Sequence, residues 1–124
     1  MDRKKIKDFA LKLMHEVWEP FDDKKVRDFY HPDLVGHHRD QIIKIEDVEN
    51  RLRFDQKNFT DPVYKIINLT AGDDEFSIHF KYKAQLPDDD LFQVEVMYFY
   101  RLKEDLISEF WTLASVDFNY LEKA

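Results

Sequence analysis

The feature that most constrains this chain is a change in the spacing of its apolar residues near Val63. Before that point apolar residues recur every three or four positions, as on the buried face of a helix, and after it they alternate with polar ones. The alternating half divides into four runs, which predict strands over residues 63–70, 75–85, 93–103 and 106–117. Hairpin-sized connectors at residues 71–74 and 103–105 and a longer acidic loop at residues 86–90 separate these runs, so we expect an antiparallel meander.

The first half of the chain predicts three helices. The spacing of apolar residues places them at residues 6–20, 22–30 and 44–58, with a short strand at residues 34–38 between the second and the third. Segregation of helices from strands favours an α+β fold over repeated βαβ units. The helices are expected to cover one face of the sheet.

Composition limits the classes of protein this chain can belong to. Its 124 residues, 44% of them hydrophobic, suffice for one core, so a single domain over residues 1–124 is predicted. The absence of cysteine excludes disulfides and thiolate chemistry. A net charge of -7 argues against a nucleic acid partner. The charged N-terminus and the lack of a long apolar run predict a cytoplasmic protein without a membrane partner.

The order of predicted elements resembles that of the nuclear transport factor 2-like superfamily, and the chain is similar to its SnoaL-like, polyketide cyclase-like members. Three stretches carry this resemblance: residues 29–38 (FYHPDLVGHH), residues 45–48 (IEDV) and residues 107–113 (ISEFWTL). The last of them contains a Glu-x-Trp pattern. The resemblance implies a cone-like α+β barrel, also called cystatin-like, in which three N-terminal helices pack on a curved antiparallel sheet around a ligand pocket. It also implies a homodimer formed through the sheet face.

The resemblance leaves the activity open. Similar proteins include isomerases, cyclases, dehydratases and proteins without catalysis, and none of these activities implies a cofactor here. We expect a pocket for an apolar, carbonyl-containing ligand, with proton transfer of the isomerase or lyase kind as the leading hypothesis. A non-catalytic binding module and a dimeric interaction domain are the alternatives.

The last predicted strand supplies one set of candidate site residues. Because alternate side chains of a strand share a face, Glu109, Trp111, Ser115 and Asp117 lie on the same side, which we take as the pocket wall. Many SnoaL-like enzymes carry an Asp base four residues after the Trp, and here that position is Ser115. Asp117 lies on the same predicted face of the strand, so it is a candidate base. The alternative is that Asp117 is an ordinary solvated residue at the end of the strand.

The pair His37-His38 supplies a second candidate. Adjacent side chains on a strand point to opposite faces, so only one of the two enters the pocket. We choose His38, since it falls near the strand position at which similar ketosteroid isomerase-like proteins carry their base, and a histidine suits proton transfer near neutral pH. A structural histidine is the alternative. The same divergence would split a metal cluster that included His31 and Asp40, so we expect no metal.

Aromatic residues supply the remaining candidates. We expect Trp18, Tyr30, Tyr98 and Tyr100 to line the pocket, where phenols donate hydrogen bonds to a ligand oxygen that gains charge. The alternative is that these side chains simply fill the core. The other face of the strand that carries Tyr98 mixes charged and aromatic residues, and we interpret it as half of a sheet-to-sheet dimer.

Overall fold

The computed structural model describes residues 1–115. Its first helix, α1, covers Arg3–Leu13 and begins at Asp2, whose carboxylate accepts a hydrogen bond from the Lys5 amide at 2.8 Å. The chain continues directly into a π-helical turn over Met14–Trp18. Such turns are rare and concentrate at functional sites. This one buries Trp18 against the sheet.

A short helical segment leads into the first strand. A 3-10 turn at Asp23–Lys25 precedes α2, which covers only Val26–Phe29. Strand β1 then runs over Tyr30–His38, so it begins four residues earlier than the sequence predicted. Strand β2, Gln41–Ile43, was not predicted because three residues are too few to display alternation.

The third predicted helix is confirmed as α3, Ile45–Asn58. The Lys44 amide donates a hydrogen bond to the Asp47 carboxylate at 2.8 Å, which fixes the first turn. Apolar residues at three- and four-residue spacing, including Val48 and Leu52, then face the core.

Four long strands follow as an antiparallel meander: β3 Thr60–Gly72, β4 Glu75–Gln85, β5 Leu91–Lys103 and β6 Leu106–Ala114. The predicted hairpin between β5 and β6 is confirmed. Its two loop residues, Glu104 and Asp105, both have positive φ, at 54° and 62°. Two such residues define the type I′ turn, whose twist matches that of the flanking strands.

Within the described residues the strands form one sheet in the order β2-β1-β6-β5-β4-β3. The predicted α+β fold, with three helical segments packed on a sheet, is confirmed. The sheet is mixed rather than wholly antiparallel, because β1 lies parallel to β6, and it is open, with β2 and β3 at its edges. Alternation along a strand carries no information about the direction of its neighbour, so the sequence did not reveal this pairing.

Close approach of β1 to β6 depends on glycine at position 36. A β-carbon at Gly36 would lie 2.3 Å from Cζ of Phe110. Phe110 is buried on the face of the sheet that the helices cover, which we call the inner face. The missing side chain of Gly36 therefore makes room for an aromatic ring of the core.

No described helix combines the length and the apolar character needed to cross a membrane.

Candidate functional site

A cavity of about 110 Å³ lies between the inner face of the sheet and the helices. Its wall is mainly aromatic, as in many small-molecule sites, with one pair of charged side chains. The lining residues are Trp18, Tyr30, Val48, Arg51, Leu52, Asp55, Phe59, Tyr64, Phe80, Tyr82, Phe92, Val94, Val96 and Tyr98.

Trp18 organises the aromatic wall. Its ring centroid lies 5.3 Å from that of Phe80, 5.8 Å from that of Tyr98 and 5.9 Å from that of Tyr64. The Tyr64 hydroxyl also donates a hydrogen bond to the Trp18 carbonyl at 3.2 Å. The π-helical turn thus brings a large ring and a backbone acceptor into the same wall.

Arg51 and Asp55 provide the charged pair of the cavity. They stand one turn apart on α3, and Nε of Arg51 lies 3.1 Å from Oδ1 of Asp55. Both side chains are largely buried, at 13% and 16% exposure. Burial raises the pKa of the Asp55 carboxyl to about 6, against the opposing charge and hydrogen bond of Arg51. Asp55 therefore exchanges protons close to neutral pH.

Three phenols of the wall remain protonated at neutral pH. Burial raises the pKa of Tyr30, Tyr64 and Tyr82, and the nearby Asp55 carboxylate adds to the increase for Tyr64 and Tyr82. Polar interactions with the side chains of Trp18 and Tyr100 offset part of the rise in the pKa of Tyr30. The cavity thus combines a titratable carboxyl with neutral hydrogen-bond donors.

Sequence reasoning missed Arg51, Asp55 and Tyr64 as site residues. A signal was present in α3, where an Arg and an Asp four residues apart flank the apolar positions Val48 and Leu52. The same spacing also describes an ordinary solvent-exposed ion pair. Only the packing of α3 over the sheet distinguishes a buried pair in a cavity wall from an exposed ion pair.

Three of the predicted pocket residues line this cavity, namely Trp18, Tyr30 and Tyr98. Tyr100 lies on the same inner face but belongs to the solid core, where it is 1% exposed and stacks on Phe76. It supports the site by stacking on the lining residue Tyr98, with ring centroids 5.1 Å apart.

His38 and His37 diverge as the alternation of β1 predicts. His38 is buried on the inner face opposite Thr112 of β6, which is in turn opposite Tyr98 of β5. The Thr112 hydroxyl is buried and has no hydrogen-bond partner among residues 1–115. His38 does not line the cavity. It is one strand away from Thr112 and two strands away from Tyr98, and Tyr98 does line the cavity.

The pocket wall that we assigned to the last strand was wrong. Glu109, Trp111 and Ser115 share a face, but it is the outer face, opposite to the helices. There Glu109 accepts a hydrogen bond from His37 at 2.8 Å, and the Trp111 and His37 rings stack at 5.0 Å. Alternation divides a strand into two sets without indicating which set is covered. Asp117, the remaining candidate from this strand, lies outside the described residues.

Comparison with solved structures defines the fold. AclR from Streptomyces galilaeus, a proposed hydroxylase, matches with a TM-score of 0.81 and 16% identity, over 91% of this chain and 80% of that one. TsrD from Streptomyces laurentii matches with a TM-score of 0.80 and 12% identity, over 93% and 91%. A proposed SnoaL-like polyketide cyclase from Jannaschia sp. CCS1 matches with a TM-score of 0.74 and 15% identity, over 91% and 87%.

No family model matches the sequence, and no curated protein matches it significantly. The structural matches nevertheless establish the fold: the chain has the α+β fold of SnoaL-like proteins. This confirms the fold that the sequence resemblance implied. A protein from Catenulispora acidiphila with a ketosteroid isomerase-like fold matches as well, at a TM-score of 0.68 and 11% identity, over 83% of this chain and 82% of that one.

Proposed function

We propose that the cavity binds a small, mostly apolar molecule bearing a carbonyl group, and that Asp55 transfers a proton to or from it. The observation that carries this proposal is the Asp55 carboxyl, which lies in an aromatic wall and has a pKa of about 6. Perturbed carboxyls in apolar pockets are frequent acid-base catalysts. The reaction is of the isomerase, cyclase or dehydratase kind.

The roles of the neighbouring groups follow from their chemistry. With a pKa of about 6, Asp55 is mostly deprotonated at neutral pH and is basic enough to accept a proton from a carbon next to a carbonyl. The protonated phenols of Tyr64 and Tyr82 line the same cavity and donate hydrogen bonds to the oxygen that gains charge. Arg51 orients the carboxylate.

The volume of the cavity limits the ligand. An apolar cavity of about 150 Å³ in another protein holds benzene. At about 110 Å³, this cavity takes at most a single small ring in its present shape. A ligand of several fused rings requires the wall to move, so small cyclic ketones are the first class to test.

His38 is the second candidate for the proton acceptor. It stands at the buried end of the row that leads through Thr112 to Tyr98, whereas Asp55 lies directly in the cavity wall. We therefore rank Asp55 first as the proton acceptor. His38 ranks second, because it is separated from the cavity by Thr112 and Tyr98.

Binding without reaction is the second candidate function. The Arg51–Asp55 ion pair favours it, because a carboxylate that is already held at 3.1 Å by a guanidinium also serves a purely structural role. In that case the cavity holds its ligand through aromatic contacts and the phenols alone.

Hydrogen exchange on a ketone separates these possibilities. The protein is incubated with cyclohexanone in heavy water, and NMR follows exchange of the protons next to the carbonyl. Asp55→Asn should abolish the exchange that the protein accelerates, whereas Asp8→Asn, an exposed matched control on α1, should leave it unchanged. Loss with His38→Gln but not with Asp55→Asn would transfer the role to His38.

A thermal-shift measurement with the same ketone completes the test. Stabilisation of the domain without any acceleration of exchange would make binding without reaction the better account. Absence of both effects across a series of small cyclic ketones would refute the proposed ligand class.

A further inference from the structure

A second cavity, of about 480 Å³, lies on the outer face of the sheet over β3, β4 and β5. Three lysines line it, Lys65 on β3 and Lys81 and Lys83 on β4. Tyr82 and Val94 contribute both to this cavity and to the inner one, so the two lie back to back across the sheet. We call the outer cavity the lysine groove.

The register of the strands gathers the three lysines. Lys65 lies directly opposite Lys81, and Lys83 follows on the same face of β4, about 7 Å further along. Like charges that stand directly opposite each other destabilise an antiparallel pair of strands. All three side chains are exposed, and their flexible four-carbon stems let the ammonium groups converge over the groove. The sheet therefore holds a local repulsion at this point.

The described part of the chain does not neutralise this positive charge. Among residues 1–115, none of the three ammonium groups forms a salt bridge. Glu95 lies opposite Lys81 on β5, but its carboxylate is hydrogen-bonded to the ring of His79. The groove thus keeps a net positive charge in a chain whose own net charge is -7.

Neutral groups complete the wall of the groove. The Ser115 oxygen accepts a hydrogen bond from the Glu95 amide at 2.9 Å, which leaves its hydroxyl hydrogen available to a ligand. The Gln93 side chain, opposite Lys83, adds an amide donor. Val63, on the other side of Lys83, is 48% exposed and offers an apolar contact. Ammonium, hydroxyl and amide donors together suit an anion with several oxygen atoms.

We infer that the lysine groove binds the phosphate group of a small phosphate monoester. Such a group carries a charge of about -1.5 to -2 at neutral pH and three strong acceptor oxygens, which matches three ammonium groups. A carboxylate has a single charge and two oxygens, so it matches the cluster less well. Bound phosphate also offsets the repulsion between Lys65 and Lys81.

The surroundings of the groove favour a small molecule over a polyanion. The β4–β5 loop, which begins just beyond Lys83 and Gln85, carries the acidic run at residues 88–90, and Glu95 lies at the opposite side of the groove. A nucleic acid strand or an anionic membrane would meet these carboxylates as well as the negative charge of the whole chain. The volume falls within the range of small-molecule sites, about 300 to 1,000 Å³.

Titration with inorganic phosphate, followed by phosphorus-31 NMR at an ionic strength held constant with sodium chloride, tests the inference. The wild-type chain should bind phosphate saturably. Lys81→Gln should weaken binding by about fivefold or more, because it removes a charge-assisted hydrogen bond from the middle of the cluster. Lys103→Gln is the matched control, since Lys103 is an exposed lysine at the far end of β5, and it should leave the dissociation constant unchanged.

Thermal unfolding gives a second readout, which an ordinary solvated cluster of lysines would not change. Without phosphate, Lys65→Gln should raise the melting temperature slightly, because it removes a pair of like charges. With phosphate present, the wild-type chain should be stabilised and Lys65→Gln should gain much less. Asp55→Asn alters the inner cavity alone and should leave phosphate binding unchanged, so this proposal and the proposed function fail separately.

Two further probes distinguish the sources of a phosphate group. Phenyl phosphate, whose ring can contact Val63, should bind at least as tightly as inorganic phosphate. Vesicles of phosphatidylcholine with phosphatidic acid should not bind at the same ionic strength, and vesicle binding that Lys81→Gln abolishes would overturn the assignment to a small molecule. Absence of saturable phosphate binding, or equal binding by Lys81→Gln and wild type, would overturn the site itself.

Discussion

The two sides of β6 show how differently one strand can be used. On the inner side, Phe110 and Thr112 are 1% and 4% exposed and pack beneath the helices. On the outer side, Trp111 and Leu113 alternate with them at 36% and 71% exposure. Alternation therefore defines two sets of residues, and only the placement of the helices decides which set borders the cavity.

The two faces also hold hydrogen-bonded pairs of polar side chains in different surroundings. The Arg51–Asp55 pair beside the inner face is 13% and 16% exposed, whereas the outer pair, His37–Glu109, is 29% and 31% exposed. The outer pair is the shorter of the two, at 2.8 Å against 3.1 Å. Because desolvation rather than distance dominates the energetics of buried charges, the inner pair should respond far more strongly to mutation.

The largest effect is expected from Arg51→Met. Removal of the guanidinium leaves the Asp55 carboxylate buried without its partner, which should cost about 3 to 5 kcal/mol of unfolding free energy at pH 8. Urea denaturation measures the loss. Arg53→Met is the matched control on the same helix, since Arg53 is 48% exposed in its pair with Asp23 and should cost less than about 1 kcal/mol. Equal losses would contradict the contrast between buried and exposed pairs.

A smaller effect, dependent on pH, is expected from Asp55→Asn. The folded-state pKa of Asp55 is raised from 3.8 to about 6, so its contribution to stability is fully present below pH 4 and is lost as the pH rises through 6. Relative to wild type, the variant should therefore gain up to about 3 kcal/mol between pH 4 and pH 8. Urea denaturation at both pH values gives the difference.

Asp23→Asn is the control of opposite sign for this measurement. A hydrogen bond from Gln56 lowers the pKa of Asp23. The contribution of Asp23 is therefore present above pH 4 and lost at lower pH, so its removal should cost more at pH 8 than at pH 3. No gain with rising pH in Asp55→Asn would show that the assigned environment of Asp55 is incorrect, and a gain in both variants would show that the effect is not specific to Asp55.

The third effect in order of size is the loss of stability expected from Gly36→Ala. The added methyl group would lie 2.3 Å from the Phe110 ring, which cannot move freely because it is buried. Overpacking of this kind should cost about 1 to 3 kcal/mol. Gly72→Ala is the control, since the atom nearest to its β-carbon would be Oε1 of the flexible Glu75 side chain, at 3.0 Å. Equal melting temperatures for the two variants would contradict the close approach of β1 and β6.

The sequence was sufficient for most of the fold because local spacing determines local structure. The apolar stripe of α3 and the alternation from Val63 onward each follow from neighbours within one element. The parallel pairing of β1 with β6 joins residues about 70 positions apart, such as His38 and Thr112, and no local pattern records it. That pairing is what buries His38 opposite Thr112.

The candidate site was less predictable than the fold for the same reason. Trp18, Tyr30 and Tyr98 were identified because large aromatic residues on buried faces tend to line cavities. The role of Asp55 depends on burial produced by the strands that pack around α3. An Asp four residues after an Arg on a helix is equally common at an exposed surface, so its spacing alone does not identify it.

The smallest effect is expected from Glu109→Gln on the outer face. Loss of this partly exposed pair with His37 should cost less than about 1 kcal/mol. Urea denaturation measures the loss, with Arg51→Met compared under the same conditions. A cost as large as that of Arg51→Met would contradict the contrast between the two faces.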